Sequence, residues 1–211
     1  SRQFLVPMCV WVNKVQRKPF VKINKRKIVY RGSLIDIMGV DLIIKAMPTL
    51  IKAIPNVILE IYGDGIERNN LESLANKLRV SRQVKFHGWI RDRKELEELM
   101  SDGALGIATF NTKILDDTVK NADPSKIKDY TLMGMPIITT KALSTYKEIE
   151  KYHCGIVINY EVKELAKVII KLLSHEKLLK EYRDNALKYI SQYDCGKLFE
   201  ENVGRVLARK N

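Results

Sequence analysis

From Ile28 onward the hydrophobic positions fall into two alternating kinds of run. Short β-branched or aromatic stretches read as strands: Ile28-Val29-Tyr30, Val57 to Tyr62, Val84-Lys85-Phe86, Leu105 to Thr109, Pro136 to Thr140 and Ile156-Val157-Ile158. Each ends at glycine or polar residues, as strands bounded by turns do. Between them apolar positions recur at helical spacing, as in Ile43, Met47, Leu50, Ile51 and Ile54, and again in Leu71, Leu74, Ala75 and Leu78. Pro48 lies inside the first of these helices and predicts a kink or an irregular first turn. Asp92 with Glu95, and Thr145 with Glu148, have the spacing of capping boxes. Beyond the last strand the pattern is helical over Val162 to Leu173, His175 to Ile190 and Asp194 to about Ala208. The alternation predicts an α/β fold, a doubly wound parallel sheet. Such sheets bind ligands beyond the carboxyl ends of their strands.

With 45% hydrophobic residues in 211, the chain can bury a core as one domain or at most two small ones. No uninterrupted apolar stretch reaches the ~20 residues of a bilayer span, and nothing reads as a signal peptide. Cys9, Cys154 and Cys195 are odd in number and far apart, so no disulfide framework or zinc site is expected. These features predict a cytoplasmic protein. The formal charge of +12 is unevenly placed. Residues 1 to 31 hold nine basic residues and no acid, leaving 28 basic against 25 acidic in the other 180. The excess belongs to the segment before the periodic structure. It faces a cleft, another domain or the inner face of an anionic membrane, or it is a solvated linker. No nucleic-acid recognition motif accompanies it, so no nucleic acid is expected as a partner.

Most chemical signatures are absent: there is no G-x-G-x-x-G after the first strand, no Walker lysine and no G-x-S-x-G elbow. His87, His153 and His175 have no clear nucleophile partner, and no Asp-x-Asp pair occurs. The catalytic residues are therefore unassigned, and neither a metal nor a cofactor is expected.

Six ordered segments carry a resemblance. They are Ile28 to Leu34 with Met38-Gly39-Val40-Asp41-Leu42-Ile43; Ile61-Tyr62-Gly63-Asp64-Gly65; Val84 to Ile90; Pro124 to Thr140; Glu148-Ile149; and Gly155-Ile156-Val157. Together they resemble the donor-binding, C-terminal half of group 1 (family 4-like) glycosyltransferases. Those enzymes have the GT-B fold, two Rossmann-like domains facing across a cleft. Phe4 to Val10 resembles the link that leads into that half. The resemblance implies a basic interdomain segment over residues 1–27, a Rossmann-like nucleotide-sugar-binding domain over 28–190, and a C-terminal helix over 191–211 crossing toward an N-terminal acceptor domain.

The same resemblance implies site residues. Ser33, Ser125 and Lys126 fall at the donor diphosphate, with exposed amides opening the helix at Ser125. The bland readings are Ser125 as an N-cap and Lys126 as a solvated lysine. Asp129 falls where the family's carboxylate accepts from the ribose hydroxyls. Gly88, Trp89 and Ile90 fall on the nucleobase loop, and Asn121 at the donor sugar. Ser33 and Met38 stand where the family has Arg and Lys, which normally neutralise the leaving diphosphate. Lys126 is the better replacement and Arg31 the weaker. Asp116, Asp117 and Asp123 are alternatives to Asn121 or merely a solvated acidic loop. The implied function is metal-free, retaining transfer of a hexosyl group from a nucleoside-diphosphate sugar to a glycan or lipid-linked acceptor, by a fragment that is inactive alone. The alternative is a catalytically degenerate GT-B domain that binds a nucleotide or partner.

Overall fold

Each predicted strand forms, and all six are parallel in one sheet of order β3-β2-β1-β4-β5-β6. The computed structural model describes residues 7–115 and 122–207. In chain order the elements are β1 (Lys27–Arg31), α1 (Val40–Ala53), β2 (Ile58–Tyr62), α2 (Arg68–Lys77), β3 (Val84–Gly88), α3 (Arg93–Met100) and β4 (Leu105–Ala108). They continue with α4 (Ser125–Leu132), β5 (Ile137–Thr140), α5 (Tyr146–Lys151), β6 (Gly155–Ile158), α6 (Val162–Ser174), α7 (Glu176–Ser191) and α8 (Cys195–Leu207). Helix α1 runs through Pro48, which is exposed.

The period of two along β1 divides the core. Ile28 and Tyr30 pack with Ile43, Met47, Leu165 and Ile169, from α1 and α6, on one face. Val29 packs with Ile127, Tyr130, Ile149 and Tyr189, from α4, α5 and α7, on the other. Arg31 shares Val29's parity, so it projects toward α4. The strand order reverses between β1 and β4, where a doubly wound sheet opens its crevice. Tyr130 of α4 plugs that point. Its hydroxyl accepts from the Arg31 amide at 2.7 Å and lies 3.0 Å from the Ile107 carbonyl, to which it donates. Gly106 makes room for the ring, since a Cβ there would lie 2.3 Å from Tyr130.

The β1 and β2 loops also meet. Gly63, at φ 155°, would place a Cβ 1.8 Å from the Gly32 carbonyl oxygen, so glycine at Gly63 is a requirement of close approach. The Gly-Asp-Gly run thus serves loop packing.

Of the two expected capping boxes one forms, and the cysteine expectation needs correction. Asp92 does cap α3, accepting from the Glu95 amide at 2.8 Å. Thr145 does not cap α5, because its backbone is already helical (φ −59°, ψ −18°) and its buried hydroxyl has no partner among the described residues. Glu148 instead accepts from Tyr189 and Tyr193 hydroxyls, at 3.1 and 2.6 Å. The cysteines are not all free: Cys9 and Cys195 form a disulfide, and only Cys154 stays reduced and buried. Chain separation of 186 residues hides this pair from the sequence, whereas the fold brings the ends together through Val10, which bridges to Asp194.

Residues 7–27 lie against the domain. The Val10 amide donates to the Tyr193 carbonyl at 2.9 Å, Lys25 pairs with Glu176, and Lys27 sits buried between Glu60 at 2.7 Å and Asp102 at 2.9 Å. Part of the N-terminal positive charge is therefore neutralised inside the fold.

A thiol titration checks the disulfide. Unfolded without reductant, the chain should show one reactive thiol, and three after reduction. Three thiols in both states would contradict the pairing.

Candidate functional site

A cleft of about 540 Å³ opens at the carboxyl ends of β1 and β4, beside the first turn of α4. Arg31, Ser33, Met38, Phe110, Ser125 and Lys126 are among its walls, with Trp89 at its mouth. Helix α4 begins at Ser125 after Pro124, and its N-terminal residue offers no side-chain cap. The Ser125 hydroxyl is not an N-cap; it accepts from Arg31 Nη1 at 2.7 Å. The first-turn amides of α4 thus face the cleft with the helix dipole behind them.

Lys126 is the unusual group. It is only 6% exposed, yet its ammonium reaches no carboxylate among the described residues. Nζ lies 3.3 Å from both the Tyr30 hydroxyl and the Met38 sulfur, above the rings of Tyr30 and Phe110. Burial, with the positive charge of Arg31 added, lowers its pKa to about 7. The cation from α4 therefore ends against Met38, the position where the family resemblance implies a lysine. Arg31 reaches the same wall from β1. Both cations serve one cleft.

Asp129 does not face it. The carboxylate is 4% exposed and lies between Arg93 Nη2, which donates to it at 2.7 Å, and Arg31 Nη1 at 3.1 Å. One oxygen, Oδ1, accepts from Arg93, while Oδ2 lies in ion-pair range of Arg31 but has no hydrogen-bond partner among the described residues. The reason is parity: Arg31 descends from β1 onto α4, and Arg93 opens α3 on the same side.

Of Gly88, Trp89 and Ile90, only Trp89 borders the main cleft. Gly88 adopts φ 76°, and its carbonyl accepts from the Gly63 amide at 2.8 Å. Trp89 is 62% exposed and borders both the main cleft and a small recess shared with Ile90. His87 stacks on Tyr62 at 4.7 Å, a packing role. Ser33 is exposed at the rim, and its carbonyl accepts from the Tyr30 hydroxyl. Asn121, Asp116 and Asp117 lie outside the described residues. Asp123 is engaged by Lys128. Gly134, at φ 74°, ends α4 as a helix stop should, its amide donating to the Thr131 carbonyl.

The sequence model of the family "Glycosyl transferases group 1" matches residues 13–189. The chain belongs to that family. An uncharacterized glycosyltransferase of Haemophilus influenzae is 23% identical over 190 residues, covering 89% of this chain and 51% of the relative. The structure of WaaG, a glycosyltransferase involved in lipopolysaccharide biosynthesis, is similar with a TM-score of 0.74 at 23% identity, over 95% of this chain and 55% of that one. Anabaena HepE, solved with UDP and glucose, has a TM-score of 0.75 at 19% identity, again over 95% and 55%. The chain thus has the fold of one Rossmann-like part of GT-B enzymes and spans about half the length of these relatives.

The structure adds Arg93, Tyr30 and Phe110 to the residues the sequence implies and gives Arg31 a larger part than that of a weaker replacement cation. The signal for Arg31 is its shared parity with Val29 along β1. Arg93 carried no signal beyond its place after Asp92.

Lys126 yields a stability test. Its ordinary value is 10.5 and its folded value about 7, so between these the unfolded chain binds the extra proton. Stability then rises with pH across that window, and the penalty is complete below it. Lys126→Met should stabilise the chain by on the order of a few kcal/mol below pH 7, the gain vanishing near 10.5, as read by denaturant unfolding. A destabilised variant at low pH would contradict this.

Proposed function

We propose that this chain is the donor-binding half of a glycosyltransferase that moves a hexosyl group from a nucleoside-diphosphate sugar to a glycan or lipid-linked acceptor. The acceptor would be held by a further domain, toward which α8 would cross, on the cytoplasmic side of a membrane. The observation that carries the reading is the buried ammonium of Lys126, with no carboxylate partner among the described residues, beside Arg31 at the uncapped start of α4. A buried cation without a partner is unfavourable until an anion arrives. Two cations and free helix amides suit a diphosphate.

The chemistry follows from that placement. The acceptor hydroxyl oxygen bonds to the anomeric carbon as the bond from that carbon to the diphosphate oxygen breaks; negative charge develops on the leaving oxygen, and the acceptor's proton passes to the leaving diphosphate. Lys126 and Arg31 would stabilise that charge as it develops, with the α4 amides beside them. The reading assigns the leaving group to protein cations, with retention at the anomeric carbon as in the family. Trp89 offers its face to the nucleobase, beside Gly88 and Ile90. Ser33 would meet the diphosphate through its rim position, and Asn121 would meet the sugar. Asp129 acts at one remove, by holding Arg31. HepE's complex with UDP and glucose supports UDP as the first probe, and the WaaG likeness supports a lipopolysaccharide-type acceptor.

A second reading, a nucleotide-binding domain without catalysis, is favoured by Ser33 and Met38 at the family's Arg and Lys positions. Intact UDP binding without transfer or donor hydrolysis, in the protein with its acceptor domain, would favour it.

Calorimetry tests donor binding. UDP should bind, more tightly as pH falls through about 7, with proton uptake as Lys126 recharges. Lys126→Met should weaken it about ten- to a hundredfold. No binding by any nucleoside diphosphate would overturn the reading.

A further inference from the structure

A second, more basic cleft lies away from the donor site. It measures about 820 Å³ and opens between the N-terminal segment and α3. Lys14, Lys18 and Lys22 line it from that segment and Lys94 from α3, with Arg17 among them. Its acidic walls are Glu97 and Glu98, and Glu97 is already bonded to Arg93 at 2.6 Å. Lys18 approaches Asp102 only to 3.9 Å, while Lys14, Lys22 and Lys94 pair with no carboxylate among the described residues.

Two arginines lie close to these lysines. Arg17 donates to the Val12 carbonyl and Arg183 to the Lys18 carbonyl at 2.7 Å, and neither meets a carboxylate among the described residues. Burial disfavours the charge on both, and Arg17 adds to that at Arg183.

Apolar groups stand beside these cations in water. Trp11 is 54% exposed with Lys14 Nζ 4.1 Å from its ring centroid, and Val21, next to Lys22, is 81% exposed. Lysines interleaved with an exposed indole and an aliphatic side chain match a lipid headgroup layer, where phosphates meet the ammoniums and the apolar tips reach the acyl boundary. A soluble phosphate would leave Trp11 and Val21 without a role.

We propose that the cleft formed by residues 11–22 and Lys94 is a docking surface for the anionic phospholipid headgroups of a membrane. It is independent of the donor site, so its failure would leave nucleotide binding unaffected. Each lysine adds about fivefold to binding, and the contact is screened by salt.

Vesicle co-sedimentation of the chain tests it. Binding is expected to vesicles of phosphatidylcholine with phosphatidylglycerol, lost at molar salt, and absent with phosphatidylcholine alone. Lys14→Gln, Lys18→Gln and Lys22→Gln together should weaken it about a hundredfold. These three residues are exposed, and an unchanged melting transition confirms the variant's fold. A blue shift of tryptophan fluorescence on binding should disappear in Trp11→Phe. Equal binding to both vesicle types, or retention of full affinity by the triple variant, would overturn the proposal. So would full displacement from vesicles by inorganic phosphate at matched ionic strength, which would assign the cleft to a soluble anion.

Discussion

The buried carboxylate of Asp129 fixes the relation between helix α4 and the sheet. It receives a guanidinium from the end of β1 and another from the start of α3, and it is nearly sealed from water. Removing one partner of such a group leaves an uncompensated buried charge, at a cost of about 3–5 kcal/mol. Tyr130, one residue on, ties the same helix to β1 and β4 through the Arg31 amide and the Ile107 carbonyl. The consequence is positional. With α4 pinned at the reversal of strand order, its first turn faces the cleft, and Arg31 and Lys126 face it together.

That arrangement keeps an ammonium in a place where it is poorly solvated. Tyr30 and Phe110 offer ring faces and Tyr30 a hydroxyl, but no full negative charge. The site is therefore held ready for an anion at the expense of the empty fold, a pattern expected where function and stability compete. The charge has also moved within the structure. Where the resemblance implies cations at Ser33 and Met38, they come here from Arg31 and Lys126, and Lys126 ends against Met38 itself.

Much of this was legible in the residues. The six runs became the six strands, and the central ones are apolar on both faces, as a parallel sheet covered by helices requires, whereas the edge strand β3 leaves Lys85 exposed. Asp92 announced its cap through local spacing alone. Features that depend on long separations were not legible. Cys9 and Cys195 meet only once β1 and α8 share one body, and Lys27 finds Glu60 and Asp102 only after β2 and α3 are in place. The ion pairs of Asp129 with Arg31 and Arg93 were not legible either, since spacing along α4 cannot report what descends from β1. Of the nine early cations, Lys25, Lys27 and Arg31 pair with acids of the domain, and Lys14, Arg17, Lys18 and Lys22 gather at one cleft.

The claim most open to direct measurement is that Asp129 acts by holding Arg31 and not by touching a ribose. Asp129→Asn, shown by its thermal transition to be folded, should be titrated with UDP and with inorganic pyrophosphate, which has no ribose. Loss of affinity by a similar factor for both ligands is the predicted result. Pyrophosphate bound as tightly as by the unmodified chain, with UDP alone weakened, would contradict it.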